Sequence, residues 1–301
     1  MHIIGHQKER AALREAFDRG NIAQASLFVG PRSIGKSLCA LEYATRLVQE
    51  PDFEPTPDKS HPYDVMVLRP VEEVKRGVTK TKNIPAESIR EALAFLSQFP
   101  AKGSFRVLII EDAHRLSETA QNVLLKTLEE PVSSAVIILV THEAGALLPT
   151  VLSRVKRLRF DFVSEEVLRQ GLEQQYDREA IADVAPFFFA LGRPGMILAA
   201  LRDPAAFSLE RELLSSLFRL STLTLSERLT LAEKMALHAE RAVRLLEWWL
   251  PGLYQQSHKI TEQKTLVRFF VLLEEIEATL RLLKTTQSNT RLLLEKIFLS
   301  V

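Results

Sequence analysis

Apolar residues are distributed along this chain in two regimes. Up to residue 162 they gather in short continuous runs: Leu27-Phe28-Val29, Val65-Met66-Val67-Leu68, Val107-Leu108-Ile109-Ile110, Val136 to Val140, and Val155 with Leu158 and Phe160. Between most of these runs the apolar positions follow a helical period instead. Continuous runs predict strands covered on both faces, and intervening helices predict parallel pairing. The expected fold class is therefore an α/β domain with a parallel five-stranded sheet. Its helices announce their ends. Residues 6–19 place Ala11, Ala12, Leu13, Ala16 and Phe17 on one period, and Gly20 follows where a C-cap favours glycine. A second helix starts near Pro85, carries Ile89, Leu93 and Leu96, and ends before Pro100. A third starts at Ser117, a good N-cap, carries Ala120, Val123, Leu124 and Leu128, and stops at Pro131.

After Phe162 the strand signals cease. Ser164-Glu165-Glu166 has the form of a helix start, with acids suited to the positive end of the dipole. A small helical unit extends to about residue 203 and contains a turn at Gly192-Arg193-Pro194-Gly195. From 205 onward every stretch reads as helix: Leu209–Leu220, a Thr224-x-x-Glu227 capping box opening the next, Ala242–Leu250, Leu266–Leu283 and Leu292–Phe298. Residues 50–62, rich in proline and poor in apolar residues, predict a loop. The expected domains are 1–162, 163–204 and 205–301.

Composition narrows the chemistry. The 301 residues carry a net charge of only +1, so nucleic acid contact would need a local patch. The single cysteine, Cys39, excludes an intramolecular disulfide and a multi-cysteine metal site, and reads as a packing residue in a helix. No stretch reaches the length of a membrane span and the N-terminus has no apolar signal core, so a cytoplasmic location is expected. The seven histidines lack a metal-ligand spacing such as H-E-x-x-H, and His6, His61, His114 and His142 read as structural. Trp248 and Trp249 read as core or subunit interface. Lys75, Arg76, Lys80 and Lys82 read as a solvated basic loop.

The most specific motif is Gly30-Pro31-Arg32-Ser33-Ile34-Gly35-Lys36-Ser37, which fits G-x-x-x-x-G-K-[ST] between an apolar strand and a helix. Glycines let successive N–H groups turn inward, the helix N-terminus adds positive potential, Lys36 supplies a point charge, and the Ser37 hydroxyl is a Mg²⁺ ligand. ATP with Mg²⁺ is thus the expected cofactor. A second strand of such a domain should end in acids, and Val107 to Ile110 run into Glu111-Asp112, a Walker B candidate that adds two Mg²⁺ ligands.

Further segments resemble bacterial clamp-loader ATPase subunits. These are Ile4-Gly5-His6, Gly20 to Pro31, His61-Pro62-Tyr63-Asp64-Val65, the tract from Pro100 to Ile110, and above all Ala120-Gln121-Asn122-Val123-Leu124-Leu125-Lys126-Thr127-Leu128-Glu129-Glu130-Pro131. Leu148-Pro149-Thr150-Val151-Leu152-Ser153-Arg154-Val155 is similar to the family's Ser-Arg-Cys segment, with valine for cysteine. The turn at 192–195 resembles that of the family's delta-prime members of DNA polymerase III. The resemblance is dense over residues 3–200. It implies an AAA+ domain, a helical lid and an all-α collar. It also implies a hetero-pentamer with gamma/tau and delta subunits that loads the sliding clamp on primer–template DNA. Arg154 would be an arginine finger acting on a neighbour's ATP, and Thr141 a sensor.

The departures matter as much. The family's zinc module has no cysteines here, so no zinc site is expected. Glu111 and Asp112 reverse the family's Asp-Glu order, moving each carboxylate by about 1.5 Å, where an error of about 1 Å can cost two orders of magnitude in rate. Met196 stands where the lid arginine belongs, with Arg193 displaced. These departures predict weak or no intrinsic hydrolysis and favour a delta-prime-like subunit over a gamma/tau-like motor. A stand-alone P-loop kinase or transferase is a third reading, and it gives no reason for the 120–131 signature.

Overall fold

The computed structural model describes residues 3–50, 53, 61–75, 78–181, 192–205, 207–257, 262–286 and 288–300. These form two compact units, Met1–Val163 and Ser164–Val301.

In the first unit, strands β1 (Ala25–Val29), β2 (Val65–Leu68), β5 (Arg106–Ile110), β6 (Ala135–Thr141) and β7 (Lys156–Arg159) form one sheet in the order β2-β5-β6-β1-β7. Every pair is parallel, with Leu27 opposite Leu139 and Arg157, and Ile109 opposite Val67 and Ile138. Side chains alternate between the two faces, and both are buried. On one face Leu27, Leu108, Ile110, Ile137 and Leu139 pack with α3 (Ala86–Leu96) and α4 (Glu118–Glu129). On the other, Phe28, Val107, Ile109, Val136 and Ile138 pack with α2 (Lys36–Leu47). This double burial is why β5 and β6 read as unbroken apolar runs, whereas the edge strand β7 is mostly charged and exposed.

The helix ends follow local rules. In α1 (Gln7–Asp18) Gly20 takes φ 67°, with Asn21 N–H bonding Ala16 O and Gly20 N–H bonding Phe17 O, the two bonds of a Schellman cap. Ser117 Oγ accepts from Ala120 N–H at the start of α4. A buried ion pair sets the edge of the sheet, where Asp64, just before β2, faces Arg106 of β5 at 3.3 Å. The Asp64 carboxylate also accepts from the N–H groups of Ala101 and Lys102, and Arg106 donates to the Phe95 and Phe99 carbonyls.

Two expectations need correction. The basic run is not a loop among its described residues: Glu72–Lys75 (β3) and Val78–Thr81 (β4) pair antiparallel, with Lys75 opposite Val78. Each strand is only four residues long and has one apolar residue away from its ends or none, too little for a period-two signal. In the second unit, the helix expected to stop at Leu250 runs from Ala239 to Ser257 through Pro251. A Cβ on Gly252 would lie 2.6 Å from the Phe218 ring, so close packing at this bare residue accompanies the helix through a breaker signal. The predicted caps at Ser164 and Thr224 form, the latter as a reciprocal box with Glu227. Trp248 and Trp249 are buried, with Trp249 edge-on to Phe298. They belong to the core. Most of the predicted loop 50–62 lies outside the described residues.

Helix α1 is held to α2 by charge. Arg10 donates twice to Glu42, both bonds at 2.6 Å, and Arg14 adds a third at 2.9 Å. Burial alone would raise the Glu42 pKa, but the two guanidiniums outweigh it and hold the carboxyl below its usual range. A depressed carboxyl contributes stability above its unfolded pKa of about 4.3, which is lost as pH falls through the folded value. Glu42→Gln is therefore expected to lower the melting temperature at pH 7 and to flatten its decline below about pH 4.3. Thermal melts from pH 7 to pH 3 test this, and parallel curves for the two proteins would refute it.

Candidate nucleotide site

Because the sheet is parallel, all its strands end on one side, where ligands of such folds bind. The order β5-β6-β1 brings three strand ends together: Glu111 and Asp112 after β5, Thr141 and His142 at the end of β6, and Gly30 after β1.

The loop after β1 is packed from two sides. A Cβ on Gly30 would lie 2.1 Å from the Phe160 carbonyl oxygen, so only glycine fits where β1 and the end of β7 meet. Gly30 N–H bonds Thr141 O at 3.3 Å, tying the same residue to β6. Gly35 takes φ 102° immediately before α2, a left-handed conformation that suits glycine. His6 Nε2 donates to the Ile34 carbonyl at 2.7 Å while its ring packs edge-on against Phe160. Burial lowers the His6 pKa and keeps the ring neutral. Its structural reading stands. Lys36 is buried, and its Nζ donates to the Gly30 and Pro31 carbonyls at 2.8 and 2.6 Å, folding the ammonium back over the loop. Ser37 follows within the first turn of α2, half-buried. Cys39, one turn on, is buried, which pushes its thiol up to about 12 and leaves it unreactive.

The two acids differ in setting. Glu111 is bound by Arg69, which follows β2, with Nε to Oε2 at 2.9 Å. Asp112 sits in the left-handed region at φ 48°, ψ 46°, and its half-exposed carboxylate makes no capping bond to the 3-10 turn Ala113–Arg115. Around Asp112 the structure gathers residues the sequence did not join. Asp112 Oδ1 is 3.9 Å from His114 Nδ1 and 3.7 Å from His142 Nδ1, and the imidazoles lie edge to face with centroids 4.1 Å apart. Thr141 Oγ1 accepts from Glu143 N–H at 3.0 Å and faces His114 Nδ1 at 3.3 Å. Arg32 of the loop donates from Nε to His142 Nε2 at 2.8 Å. Burial lowers the His114 pKa, so that ring too is neutral at pH 7.

Arg154 is positioned by α4. Buried Gln121 donates to the Leu116 and Ala146 carbonyls and accepts from Leu148 N–H at 2.7 Å, pinning the segment that begins the one-turn helix α5 (Pro149–Leu152). Just beyond α5, Arg154 reaches Glu129 at the end of α4, Nη2 to Oε1 at 2.7 Å, and donates to the Thr150 carbonyl at 2.9 Å. Its side chain remains about one-third exposed (35%). Lys156 and Arg157 of β7 are exposed, and Arg159 pairs with Asp161. In the second unit Arg193 is buried and donates to the Glu247 carbonyl, while Met196 lies in the core of the helix Pro194–Arg202.

No described helix is long and apolar enough to cross a membrane. Solved structures share the fold. The gamma subunit-related DNA polymerase III protein of Thermotoga maritima aligns over 95% of this chain and 97% of its own, with a TM-score of 0.55 and 21% identity. The Holliday junction branch migration motor RuvB of the same organism aligns over 84% and 88%, with a TM-score of 0.51 and 16% identity. At these identities the likeness is one of fold. Among curated relatives, the DNA polymerase III subunit tau of Escherichia coli K12 is 29% identical over 272 residues, 82% of this chain and 41% of that protein. The delta' subunit of Pseudomonas aeruginosa is 33% identical over 147 residues, 45% of this chain and 42% of that protein. The chain thus spans less than half the length of these relatives. Residues 5–164, more than half of the chain, match the family described as DNA polymerase III, delta subunit, and the chain belongs to that clamp-loader family.

Proposed function

We propose that this chain is a delta-prime-like subunit of a DNA polymerase III clamp loader, one that completes a neighbour's ATP site rather than driving the assembly by its own hydrolysis. The observation that carries this reading is Arg154. It is partly exposed, at the end of a segment fixed by Gln121, and its contact to Glu129 is a surface ion pair that a stronger anion would displace. A guanidinium so placed suits the equatorial oxygens of a phosphoryl group in transfer. In this reading the partners are gamma/tau and delta subunits, and sliding clamp and primer–template DNA are met through the assembly. Residues 1–162 are the AAA+ domain, 163–204 the lid and 205–301 the collar.

The Gly30–Ser37 loop is assigned to ATP. The Ser37 hydroxyl and the Glu111 and Asp112 carboxylates are hard oxygen donors of the kind Mg²⁺ takes, and these residues would hold it. Glu111 is already engaged by Arg69, and Arg193 bonds elsewhere in its own unit, both in keeping with weak hydrolysis by this chain. Thr141 remains the proposed sensor. No cysteine-ligated zinc enters this reading. The complete phosphate loop favours a second reading, a gamma/tau-like motor, and basal ATPase of the purified chain separates the two.

Lys36→Ala is expected to abolish ATP–Mg²⁺ binding by removing the charge that faces the phosphates. Calorimetry on nucleotide-stripped protein measures it. An absence of heat from the wild type at millimolar ATP would make the loop a structural relic. Arg154→Ala is expected to leave assembly intact while severely lowering DNA-stimulated ATPase at the adjacent site, since such arginines contribute roughly 10³–10⁵ in rate. Bulk turnover falls less where other sites continue. Reconstituted complexes, checked by gel filtration, decide the matter: an Arg154→Ala complex that loads clamps at the unmutated rate would return the residue to being one charge on a basic strand.

A further inference from the structure

Asp112, His114 and His142 bring a carboxylate and two imidazoles to one point beside the phosphate loop, with one ligand atom from each lying within 4.8 Å of the others. Oxygen and nitrogen ligands of a tetrahedral ion at about 2.0–2.1 Å sit about 3.4 Å from one another. The distances from Asp112 Oδ1 to the two Nδ1 atoms, 3.9 and 3.7 Å, are therefore within about half an ångström of that spacing on the two edges that meet at Asp112. Those two edges shorten by rotation of Asp112, which is half-exposed and not engaged in capping, about its own side-chain bonds.

The hydrogen-bond partners decide which nitrogens can serve. Thr141 Oγ1 accepts from Glu143 N–H and faces His114 Nδ1, where a hydroxyl can either give its own proton or take the ring's. His114 Nδ1 is a metal ligand in the tautomer that carries the ring proton on Nε2. In His142 the tautomer is fixed. Arg32 Nε donates to its Nε2, so the proton of a neutral ring lies on Nδ1, toward Asp112. An ion at His142 Nδ1 must displace that proton. Nε2 takes up a proton from solvent in exchange, and its bond to Arg32 breaks. Arg32 and a metal ion therefore compete for the same histidine.

We propose that Asp112, His114 and His142 form a binding site for a borderline divalent metal such as Zn²⁺ or Co²⁺, distinct in donor set from the Mg²⁺ ligands and closed by Arg32 of the phosphate loop. Two nitrogen donors favour these ions over Mg²⁺, which prefers oxygen and six-fold geometry. Occupancy withdraws Asp112 from any Mg²⁺ and frees the Arg32 side chain from His142, so the ion and the phosphate loop influence each other through one residue. The site owes nothing to cysteine. Its ligands come from the ends of two adjacent strands and from the 3-10 turn after one of them, so the fold forms without the ion.

The test uses the full chain, freed of metal by chelator and without nucleotide, so its result does not depend on whether the chain binds ATP. Co²⁺ added alone is expected to give visible d–d absorption saturating at one equivalent, abolished by excess Zn²⁺ and unaffected by millimolar Mg²⁺. Asp112→Asn, at a half-exposed position, and His142→Gln should each weaken Co²⁺ binding at least tenfold. Arg32→Ala should strengthen it several-fold. His114→Gln should also weaken it, with circular dichroism checking that the buried substitution folds, and Asp112→Asn carries the test if it does not. No absorption with wild type, or equal affinity in wild type, Asp112→Asn and His142→Gln, would overturn the site. Weaker binding in Arg32→Ala would overturn the competition.

Discussion

The close approach of β1 to the end of β7 governs the rest of the nucleotide-binding unit. Gly30 must lack a side chain because the Phe160 carbonyl occupies the space a Cβ would need. The same glycine bonds Thr141 of β6, so one residue fixes the phosphate loop to both neighbours of β1. His6 and Phe160 close the assembly from beneath, through the Ile34 carbonyl and an edge-on ring contact. The loop is consequently held through Gly30 and Ile34, and by the Lys36 ammonium on its own Gly30 and Pro31 carbonyls. Preorganisation of this kind lowers the ordering cost of gripping an anion.

Signals local in the chain were legible, and those that depend on distant pairing were not. Strands β1, β2, β5 and β6 show because each holds three or more consecutive apolar residues, whereas the edge strand β7, with Lys156, Arg157 and Arg159, shows only through Val155, Leu158 and Phe160. The caps at Gly20, Ser117, Ser164 and Thr224 show because capping chemistry lies within a few residues of the helix end. The pairing of β3 with β4 escapes the sequence because each strand is four residues long and holds too few apolar positions to show alternation. The helix through Pro251 was missed because a breaker signal was overridden by packing at Gly252, which no local pattern reveals.

The site divides in the same way. The phosphate loop, the two acids and Arg154 stand in contiguous motifs and could be named from sequence. The engagement of Glu111 by Arg69, the support of Leu148 by Gln121, and the meeting of His114 with His142 all join residues far apart in the chain. His114 and His142 read as structural because metal spacing is sought along one helix, and the meeting of their rings across two strand ends lies outside that search. The residues that follow adjacent parallel strands could have supplied the signal, since sheet order places those positions side by side.

The contact between Arg154 and Glu129 has a consequence for how readily the arginine changes partner. A partly exposed ion pair of this kind is worth roughly 0.2–1 kcal/mol, which corresponds to an occupancy bias of only about 1.4- to five-fold. Over time the guanidinium therefore samples positions away from Glu129 in a substantial fraction of molecules. Its backbone, hydrogen-bonded to Val151 and preceded by a segment pinned to α4, stays in place throughout. The result is a side chain with a fixed base and a weak hold on Glu129, so in the role proposed for Arg154 the contact that an anion displaces scarcely reduces its affinity.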